Sequence, residues 1–436
     1  MIVVFVVVKT RMFTREELRN KIFQGNAIDV LKTFPSKSVE MCITSPPYWG
    51  LRDYQSEDII WDSNNECEHD FSTKAPPRRN RSTDDFKFAG EVQKGNIGSS
   101  PNLPETSFCS KCSAWKGSLG LEPTHELYIK HLCDIFEETK GVLKDTGTLW
   151  VNLGDTYASS PKATQSFDFG RSGKNSAVGL QSNSRKGRGK AGNGVQNKSL
   201  VGVPFRFVIE MINRGWICRQ TIIWYKNNVM PSSVKDRFTV DFEYIFFFSK
   251  QGKYYFEQQK EENGRNKRSV WNVNTKPHKE AHFAVFPEEL IETPIKAGCP
   301  EFVCVTCGHS REEKFESLST KDYSNESNYK RQIDLEHGQS AFNRNQATFD
   351  SVSYNSKGLS DCGCGDEFKR GMVLDIFAGS GTTAVVAKKN NRDYVGIELN
   401  GDYIDMCKER LESYNNHRLD LWTQGNRTQQ NKASHA

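Results

Sequence analysis

Apolar residues with two different spacings divide the chain into alternating strands and helices. Short, nearly continuous apolar runs predict strands over residues 1–8, 39–44, 148–153, 216–225, 242–249, 372–377 and 394–398. Apolar positions three and four residues apart predict helices over residues 26–34, 127–143, 204–212, 288–297, 382–390 and 403–413. Residues 253–256 are expected to complete a hairpin with the 242–249 strand. Because strands alternate with helices, the sequence predicts an α/β fold with a mainly parallel sheet.

Polar stretches interrupt this pattern and indicate the domain organisation. The regular core covers residues 21–54, 121–300 and 371–415, residues 55–120 and 299–370 form two insertions, and residues 416–436 form a flexible tail. Residues 156–200 are dominated by Ser, Gly, Asn and Lys, and they include the basic residues Arg185, Lys186, Arg188 and Lys190. Such a segment cannot bury enough apolar surface to fold alone. It is either a disordered surface loop or a loop that becomes ordered against nucleic-acid phosphates.

The overall composition limits the class of protein. A length of 436 residues is enough for one large domain or two ordinary ones. The formal net charge of +5 is small for this length, so any affinity for nucleic acid must come from local basic patches. The apolar run at residues 1–8 is too short to span a bilayer, and it lacks the basic start and cleavage site of a signal peptide. We therefore expect a cytoplasmic protein with no membrane partner.

The chain contains twelve cysteines, and in a cytoplasmic protein disulfides are rare. Two sets have the close spacing of zinc ligands. The Cys67 group consists of Cys67, His69, Cys109 and Cys112, and the Cys304 group consists of Cys304, Cys307, Cys362 and Cys364. Free thiols in loops are the alternative. Zinc with four protein ligands has no open position for catalysis, so either metal would be structural and would stabilise an insertion with little apolar core. Four of the remaining five cysteines lie in apolar or helical contexts and are expected to pack, namely Cys42, Cys133, Cys218 and Cys407. Cys299 is a possible substitute ligand for the Cys304 group.

A glycine-containing turn lies between a predicted strand and a predicted helix near the C-terminus. Its glycines allow a sharp turn and a close approach of the backbone to a ligand. Glu398 ends the next strand, where a carboxylate can accept hydrogen bonds from both hydroxyls of a ribose. No Lys follows the second glycine, so a nucleoside cofactor fits better than a polyphosphate; an ordinary tight turn is the alternative. The candidate cofactor contacts are Asp375, Phe377, Ala378, Gly379, Ser380, Gly381, Thr382 and Glu398.

A Ser-Pro-Pro-Tyr motif follows the predicted 39–44 strand, at the strand end where open α/β sheets bind ligands. Pro46 and Pro47 stiffen the backbone and leave carbonyl groups that can accept hydrogen bonds from an amine. Ser45 offers a further polar contact, and Tyr48 offers a face on which a flat base can stack. Taken alone, a Pro-Pro turn with aromatic residues is more often just a rigid loop.

Together, the two motifs resemble those of the DNA amino-methyltransferases, which form N4-methylcytosine or N6-methyladenine. The Ser-Pro-Pro-Tyr motif precedes the Phe-Ala-Gly-Ser-Gly motif, and this is similar to the circularly permuted, beta-type order of that family. The resemblance implies a Rossmann-like methyltransferase fold, S-adenosylmethionine as the cofactor and DNA as the partner. It also implies that Ser45, Pro46 and Pro47 hold the target amine while Tyr48 stacks on a base swung out of the duplex.

The resemblance assigns roles to further residues. Asn26 stands in a segment that usually carries Gly-Asp and contacts the cofactor, so the amide is a departure from the family pattern. His282 lies in a segment similar to the one that closes over the methionine end of the cofactor. Trp49, Arg52 and Tyr54 are expected to extend the pocket or to contact nearby DNA phosphate. Apart from the resemblance, the basic composition of residues 156–200 makes Arg185, Lys186, Arg188 and Lys190 expected DNA contacts.

Several alternatives stay open at this point. Ser45 in place of Asp favours the N4 position of cytosine over the N6 position of adenine. An RNA or protein methyltransferase with the same cofactor, or a catalytically inactive zinc-containing DNA-binding protein, would also fit. A cognate restriction nuclease would be a partner of a site-specific DNA methyltransferase. Arg237 and Glu243 are expected to form a surface ion pair, with a phosphate contact by Lys235 or Arg237 as the alternative.

Overall fold

The computed structural model describes residues 4–6, 11–51, 58–63, 66–71, 108–158, 195–275, 286–311, 313–317 and 354–415. The chain divides into two compact units. One unit comprises Met1–Glu301 with Arg370–Ala436, and the other comprises Phe302–Lys369. The expected DNA contacts Arg52, Tyr54, Arg185, Lys186, Arg188 and Lys190, the cofactor contact His282 and the tail 416–436 lie outside the described residues.

The described elements are short strands joined by helices. The strands are β1 Val4–Val6, β2 Lys21–Gln24, β3 Val39–Thr44, β4 Ile59–Trp61, β5 Trp115–Gly117, β6 Leu143–Leu153, β7 Ile217–Tyr225, β8 Phe242–Ser249, β9 Val270–Asn272, β10 Phe302–Cys304, β11 Glu313–Ser317, β12 Tyr354–Leu359, β13 Phe368–Arg370, β14 Met372–Asp375 and β15 Asp393–Glu398. The helices are α1 Arg15–Leu18, α2 Ala27–Leu31, α3 His125–Val142, α4 Val203–Asn213, α5 Glu288–Gly298, α6 Thr382–Lys389 and α7 at residues 401–415.

A nine-stranded sheet organises the first unit, in the order β1-β2-β15-β14-β3-β6-β8-β7-β9. The first six strands in this order are β1, β2, β15, β14, β3 and β6, and they are parallel to one another. β8 is antiparallel to both β6 and β7, and β9 is parallel to β7. The predicted α/β fold with a mainly parallel sheet is therefore confirmed.

Helices cover both faces of this sheet, which explains why its central strands are mostly apolar. All six residues of β3 are buried. Its Val39 and Cys42 belong to the core that contains α2, α3 and α4 residues, whereas Met41 and Ile43 belong to the core that contains α5, α6 and α7 residues. A strand that is buried on both faces shows a continuous apolar run rather than an alternating one.

One predicted element differs from the structure. Residues 253–256 do not form a strand beside β8. Both edges of β8 already pair with strands, β6 on one side and β7 on the other. The aromatic rings of Tyr254 and Phe256 instead pack against Phe247, with ring centroids 5.6 and 5.7 Å away. Their aromatic character therefore reflects packing on the sheet rather than membership of it.

The connections around β3 and β14 create a switch in direction at the middle of the sheet. From β14 the chain passes through α6 to β15 on one side, and from β3 it passes through α3 to β6 on the other. These two helices belong to opposite faces. A crevice opens at the carboxyl ends of strands where the connections diverge in this way. In the part of the chain that the structure describes, no helix has both the length and the apolar character needed to cross a membrane.

Candidate active site

A cavity of about 1100 Å³ lies at this switch point in the first unit. Its lining includes both sequence motifs: Ser45 to Tyr48 after β3, and Asp375 to Ser380 at the end of β14 and in the turn that follows. Asn26, Thr382 and Glu398 line it as well. The structure thus brings together the residues expected to hold a base and those expected to hold a cofactor, although more than 300 residues separate them in sequence.

The glycine turn after β14 requires glycine at two positions. Gly379 and Gly381 have φ of +50° and +79°, a backbone conformation that costs other residues strain. A Cβ on Gly381 would lie 2.2 Å from the Sγ atom of Cys407 in α7. This close packing holds the turn against α7. The chain enters α6 directly after Gly381, so the predicted order of strand, turn and helix is present.

Asp375 shapes the turn through three hydrogen bonds. Its carboxylate accepts from the hydroxyls of Thr44 and Thr383, each at 2.6 Å, and from the Phe377 backbone N–H at 3.1 Å. Burial raises the pKa of this carboxyl, against the opposing effect of those three donors. Asp375 therefore joins the ends of β3 and β14 to the start of α6, and it keeps the two motifs in register.

Glu398 faces the cavity from the end of β15, with both carboxylate oxygens held by the backbone. Its Oε2 accepts from the Gly379 N–H at 2.8 Å, and its Oε1 accepts from the Asn400 N–H at 2.9 Å. Burial raises the pKa of Glu398 to about 7, because it disfavours the charged form more than these N–H groups favour it. The lone pairs that remain can accept hydrogen bonds from vicinal hydroxyls.

A cation that the motif analysis did not identify secures the same loop. Arg410 of α7 donates to the backbone and side-chain oxygens of Ser380, both at 3.0 Å, and to the Thr382 hydroxyl at 2.9 Å. It also pairs with Glu288 at the start of α5, at 3.3 Å. Both Arg410 and Glu288 line the cavity. The sequence signal for Arg410 was its position in the predicted 403–413 helix. Residues 403, 407 and 410 have helical spacing and share one face of that helix, and Tyr403 also lines the cavity.

The Ser-Pro-Pro-Tyr motif lines the same cavity. The Pro47 carbonyl accepts a hydrogen bond from the Tyr128 hydroxyl at 2.8 Å, so it is already engaged. The Ser45 hydroxyl donates to the Asn152 Oδ1 atom at 3.4 Å, which leaves lone pairs of the Ser45 oxygen for another donor. The ring of Tyr48 passes so close to Gly154 that a Cβ there would lie 2.7 Å from it.

Glu243 is a second site residue that sequence reasoning missed. Its Oε2 accepts from the Tyr48 hydroxyl at 2.6 Å and from the Asn152 amide at 3.1 Å, and its Oε1 pairs with Lys226. The expected surface ion pair between Glu243 and Arg237 is wrong. Arg237 instead lies over the ring of Tyr157, 3.4 Å from its centroid. Glu243 is the second residue of β8, and β8 pairs with β6, the strand that carries Asn152. At this position the Glu243 side chain lines the cavity.

Of two further predicted residues, Asn26 lines the cavity and Trp49 lies in the core. Asn26 lines the cavity as the N-cap of α2, where its Oδ1 accepts from the Ile28 N–H at 2.9 Å. Trp49 is 5% exposed, and its indole N–H donates to the Glu122 carbonyl at 2.9 Å. That position fits core packing rather than a DNA contact. A Trp beside a Tyr in a loop gives no sequence signal that would distinguish the two roles.

The structure also gathers each cysteine group into one place. The ligand atoms of the Cys67 group all lie within 4.8 Å of one another, and so do those of the Cys304 group. The first group belongs to the unit that contains the cavity, and the second belongs to the unit Phe302–Lys369.

Comparisons with known proteins find similar sequences and a similar solved structure. The family model described as DNA methylase, of the N6 and N4 methyltransferases, matches residues 39–305 and 367–409. The Type II methyltransferase M.Cfr9I of Citrobacter freundii is 31% identical over 397 residues, covering 90% of this chain and 87% of its own. M.XycI of Xanthomonas campestris pv. cyanopsidis is 30% identical, covering 90% and 88%. The solved PvuII DNA methyltransferase (cytosine-N4-specific) matches with 14% identity and a TM-score of 0.44, over 88% of this chain and 83% of its own.

Proposed function

Because the chain belongs to the DNA methylase family of N6 and N4 methyltransferases, we propose that it methylates the N4 amino group of a cytosine in DNA, with S-adenosylmethionine as the methyl donor. One observation carries the proposal: the Ser45 to Tyr48 motif and the turn from Asp375 to Ser380 line the same cavity. The description of its relatives as Type II methyltransferases supports a role in site-specific modification.

The cofactor side of the cavity fits S-adenosylmethionine. The glycine turn exposes backbone to the ligand without side chains. A side chain at Gly379 or Gly381 would strain the backbone, and at Gly381 it would also collide with Cys407. Glu398 would accept hydrogen bonds from the ribose hydroxyls, and Asn26 and Arg410 lie in the same wall. When it is bound, S-adenosylmethionine supplies an electrophilic methyl group. The chain's own residues must then position the nucleophile.

The base side of the cavity fits an extruded base. Swinging a base out of the duplex costs a few kcal/mol, and stacking on an aromatic ring such as Tyr48 returns about 1–3 kcal/mol. The Tyr48 ring is fixed for this role because its hydroxyl is anchored on Glu243 and its edge packs on Gly154. A fixed ring loses little entropy when the base arrives.

Ser45 and Pro46 would act on the target amine itself. The exocyclic amine is a weak nucleophile because its lone pair is delocalised into the ring. Hydrogen bonds from the amine to the Ser45 oxygen and the Pro46 carbonyl would favour a pyramidal nitrogen and free its lone pair. The Ser45 proton is directed to Asn152, so the oxygen presents lone pairs to the amine. Orientation of this kind accounts for a large part of catalysis between two bound reactants.

The choice of cytosine N4 rests on Ser45. A serine in place of an aspartate at the first motif position favours cytosine in this family, and the adenine N6 position is the alternative outcome of the test.

A transfer assay tests the proposed function. Purified protein would be incubated with S-adenosylmethionine labelled in the methyl group and, separately, with DNA, RNA and a protein mixture. We expect label in DNA only, and a Ser45→Ala, Pro46→Ala double variant should lose it while still binding the cofactor. Label in RNA or protein, or undiminished DNA labelling by the variant, would contradict the proposal.

A further inference from the structure

We propose that the protein binds two structural zinc ions in matching knuckles, one in the Cys67 group and one in the Cys304 group. This inference does not depend on the proposed methylation, since it concerns ligands outside the lining of the cavity. It rests on interatomic distances, on backbone geometry and on the surroundings of each group.

The distances in the Cys67 group fit tetrahedral zinc. The Sγ atoms of Cys67 and Cys109 are 3.9 Å apart, and Cys112 Sγ lies 3.3 Å from His69 Nδ1. Zinc–sulfur bonds of about 2.3 Å and zinc–nitrogen bonds of about 2.0–2.1 Å at tetrahedral angles imply about 3.8 Å between two sulfurs and about 3.6 Å between sulfur and nitrogen. A disulfide would require about 2.05 Å between the sulfurs. The spacing therefore suits ligands of a common ion.

Both Cys-x-x-Cys segments form the same backbone turn. The residue after the second cysteine has a left-handed conformation in each: Ser113 with φ +64° and Gly308 with φ +70°. The N–H of Ser113 donates to the Cys109 carbonyl at 2.9 Å, and that of Gly308 donates to the Cys304 carbonyl at 3.0 Å. A non-glycine residue rarely adopts this conformation, so Ser113 indicates a local requirement for it.

The match extends one residue further. The Cys109 N–H donates to the carbonyl of Ala114 at 2.8 Å, and the Cys304 N–H donates to that of His309 at 2.9 Å. In addition, the Asp70 N–H points at the Cys109 sulfur at 3.4 Å, as expected of a donor to a thiolate. Two segments of unrelated sequence and in different units thus form the same turn. What they share is a pair of cysteines three positions apart. This indicates that both turns bind the same kind of metal ion.

The zinc in the Cys67 group would hold one wall of the cavity. Cys109 is followed closely by β5, which pairs with β4. Trp61 of β4 lines the cavity, and its ring stacks on His131 with centroids 4.5 Å apart. The β4–β5 ribbon is only three residues long in each strand, which is too short for stability without support. Trp61 and Trp115 anchor the ribbon in the core, and a metal at its base would add to that support.

Metal analysis of the full-length protein, purified without chelators, tests the proposal. We expect two zinc ions per chain by elemental mass spectrometry, one for each group. A mercurial reagent that reacts with thiolates should release both. A chain that carries no zinc after growth in zinc-supplemented medium, or that carries another metal in its place, would overturn the inference.

Matched variants assign each ion. Cys109→Ser with Cys112→Ser should leave one zinc with four sulfur ligands in X-ray absorption spectra. Cys304→Ser with Cys307→Ser should leave one zinc with three sulfur ligands and one nitrogen ligand. Cys218→Ser is the control, because Cys218 is a half-buried cysteine outside both groups, and it should retain both ions. Oxygen ligands at either site, or loss of both ions from either pair of variants while the chain remains folded by circular dichroism, would contradict two independent knuckles.

Discussion

Glu243→Gln isolates the contribution of the carboxylate that anchors Tyr48. The substitution preserves the shape of the side chain but removes its charge. One carboxylate oxygen of Glu243 now receives two hydrogen bonds, from Tyr48 and Asn152, while the other pairs with Lys226. In the variant, the Lys226 ammonium would keep its position over the Trp224 ring, 3.9 Å from its centroid, without its counter-charge. The Tyr48 hydroxyl would then have only neutral acceptors, including Asn152 Oδ1 at 3.0 Å, and would hold the ring less firmly.

The expected magnitude follows from the type and exposure of these bonds. Hydrogen bonds to charged groups contribute about 1.5–3 kcal/mol. The side chains of Glu243 and Lys226 are 22% and 13% exposed, so screening by solvent is partial and the lower end of that range applies. A loss of about 1.4 kcal/mol corresponds to about a tenfold fall in kcat/KM for DNA. Binding of S-adenosylmethionine should not change, since Glu398 and the glycine turn are untouched.

Steady-state methylation of a DNA duplex, combined with calorimetric titration of the cofactor, measures both quantities. Tyr48→Phe removes the anchored hydroxyl from the other side, and the double variant completes a mutant cycle. We expect the double variant to be no worse than the poorer single variant, because both remove the same interaction. Glu292→Gln is the matched control, as Glu292 pairs with Lys296 at 2.6 Å outside the cavity. Wild-type kcat/KM in Glu243→Gln, or fully additive losses in the double variant, would refute the reasoning.

Three further predictions concern the cofactor side. The affinity for S-adenosylmethionine in calorimetry should fall about tenfold from pH 8 to pH 6, because Glu398 becomes protonated as the pH drops through its pKa of about 7. Glu398→Gln should remove this pH dependence. A pH dependence that persists in the variant would contradict the role of Glu398. Gly381→Ala should reduce the free energy of unfolding by about 2–4 kcal/mol, from a left-handed conformation and a collision with Cys407. Denaturant unfolding should show that Cys407→Ala recovers the collision part only, and full recovery would argue against backbone strain. Arg410→Met should weaken cofactor binding about tenfold through loss of charged hydrogen bonds to the loop, and unchanged affinity would show that the loop holds its conformation without the cation.

Much of the site was predictable because its signals are local. The Pro-Pro turn restricts its own backbone, and a Gly-x-Gly turn between a strand and a helix has few structural alternatives. Glu398 was predictable for a related reason, since the next parallel strand ends beside the turn. The two cysteine groups could be predicted from their close pairs, and the structure brings the side chains of each group within 4.8 Å of one another.

Other residues could not be assigned because their roles depend on distant partners. Glu243 lies 195 residues from Tyr48, and its neighbour Arg237 offered a nearer explanation for its charge. Trp49 looks like Tyr48 in sequence, yet one ring enters the core and the other lines the cavity. The 253–256 segment failed for a similar reason, because strand pairing depends on which edges of β8 are free. Each case requires the order of strands in the sheet, which local periodicity does not provide.

The central claim is that Ser45 to Tyr48 present an exocyclic amine of cytosine for methylation. Nucleoside mass spectrometry of DNA incubated with the purified protein and S-adenosylmethionine tests it most directly. The account predicts N4-methylcytosine, and it predicts that the signal disappears in the Ser45→Ala, Pro46→Ala variant. Appearance of 5-methylcytosine, of N6-methyladenine in place of N4-methylcytosine, or of no methylated nucleoside at all would contradict it.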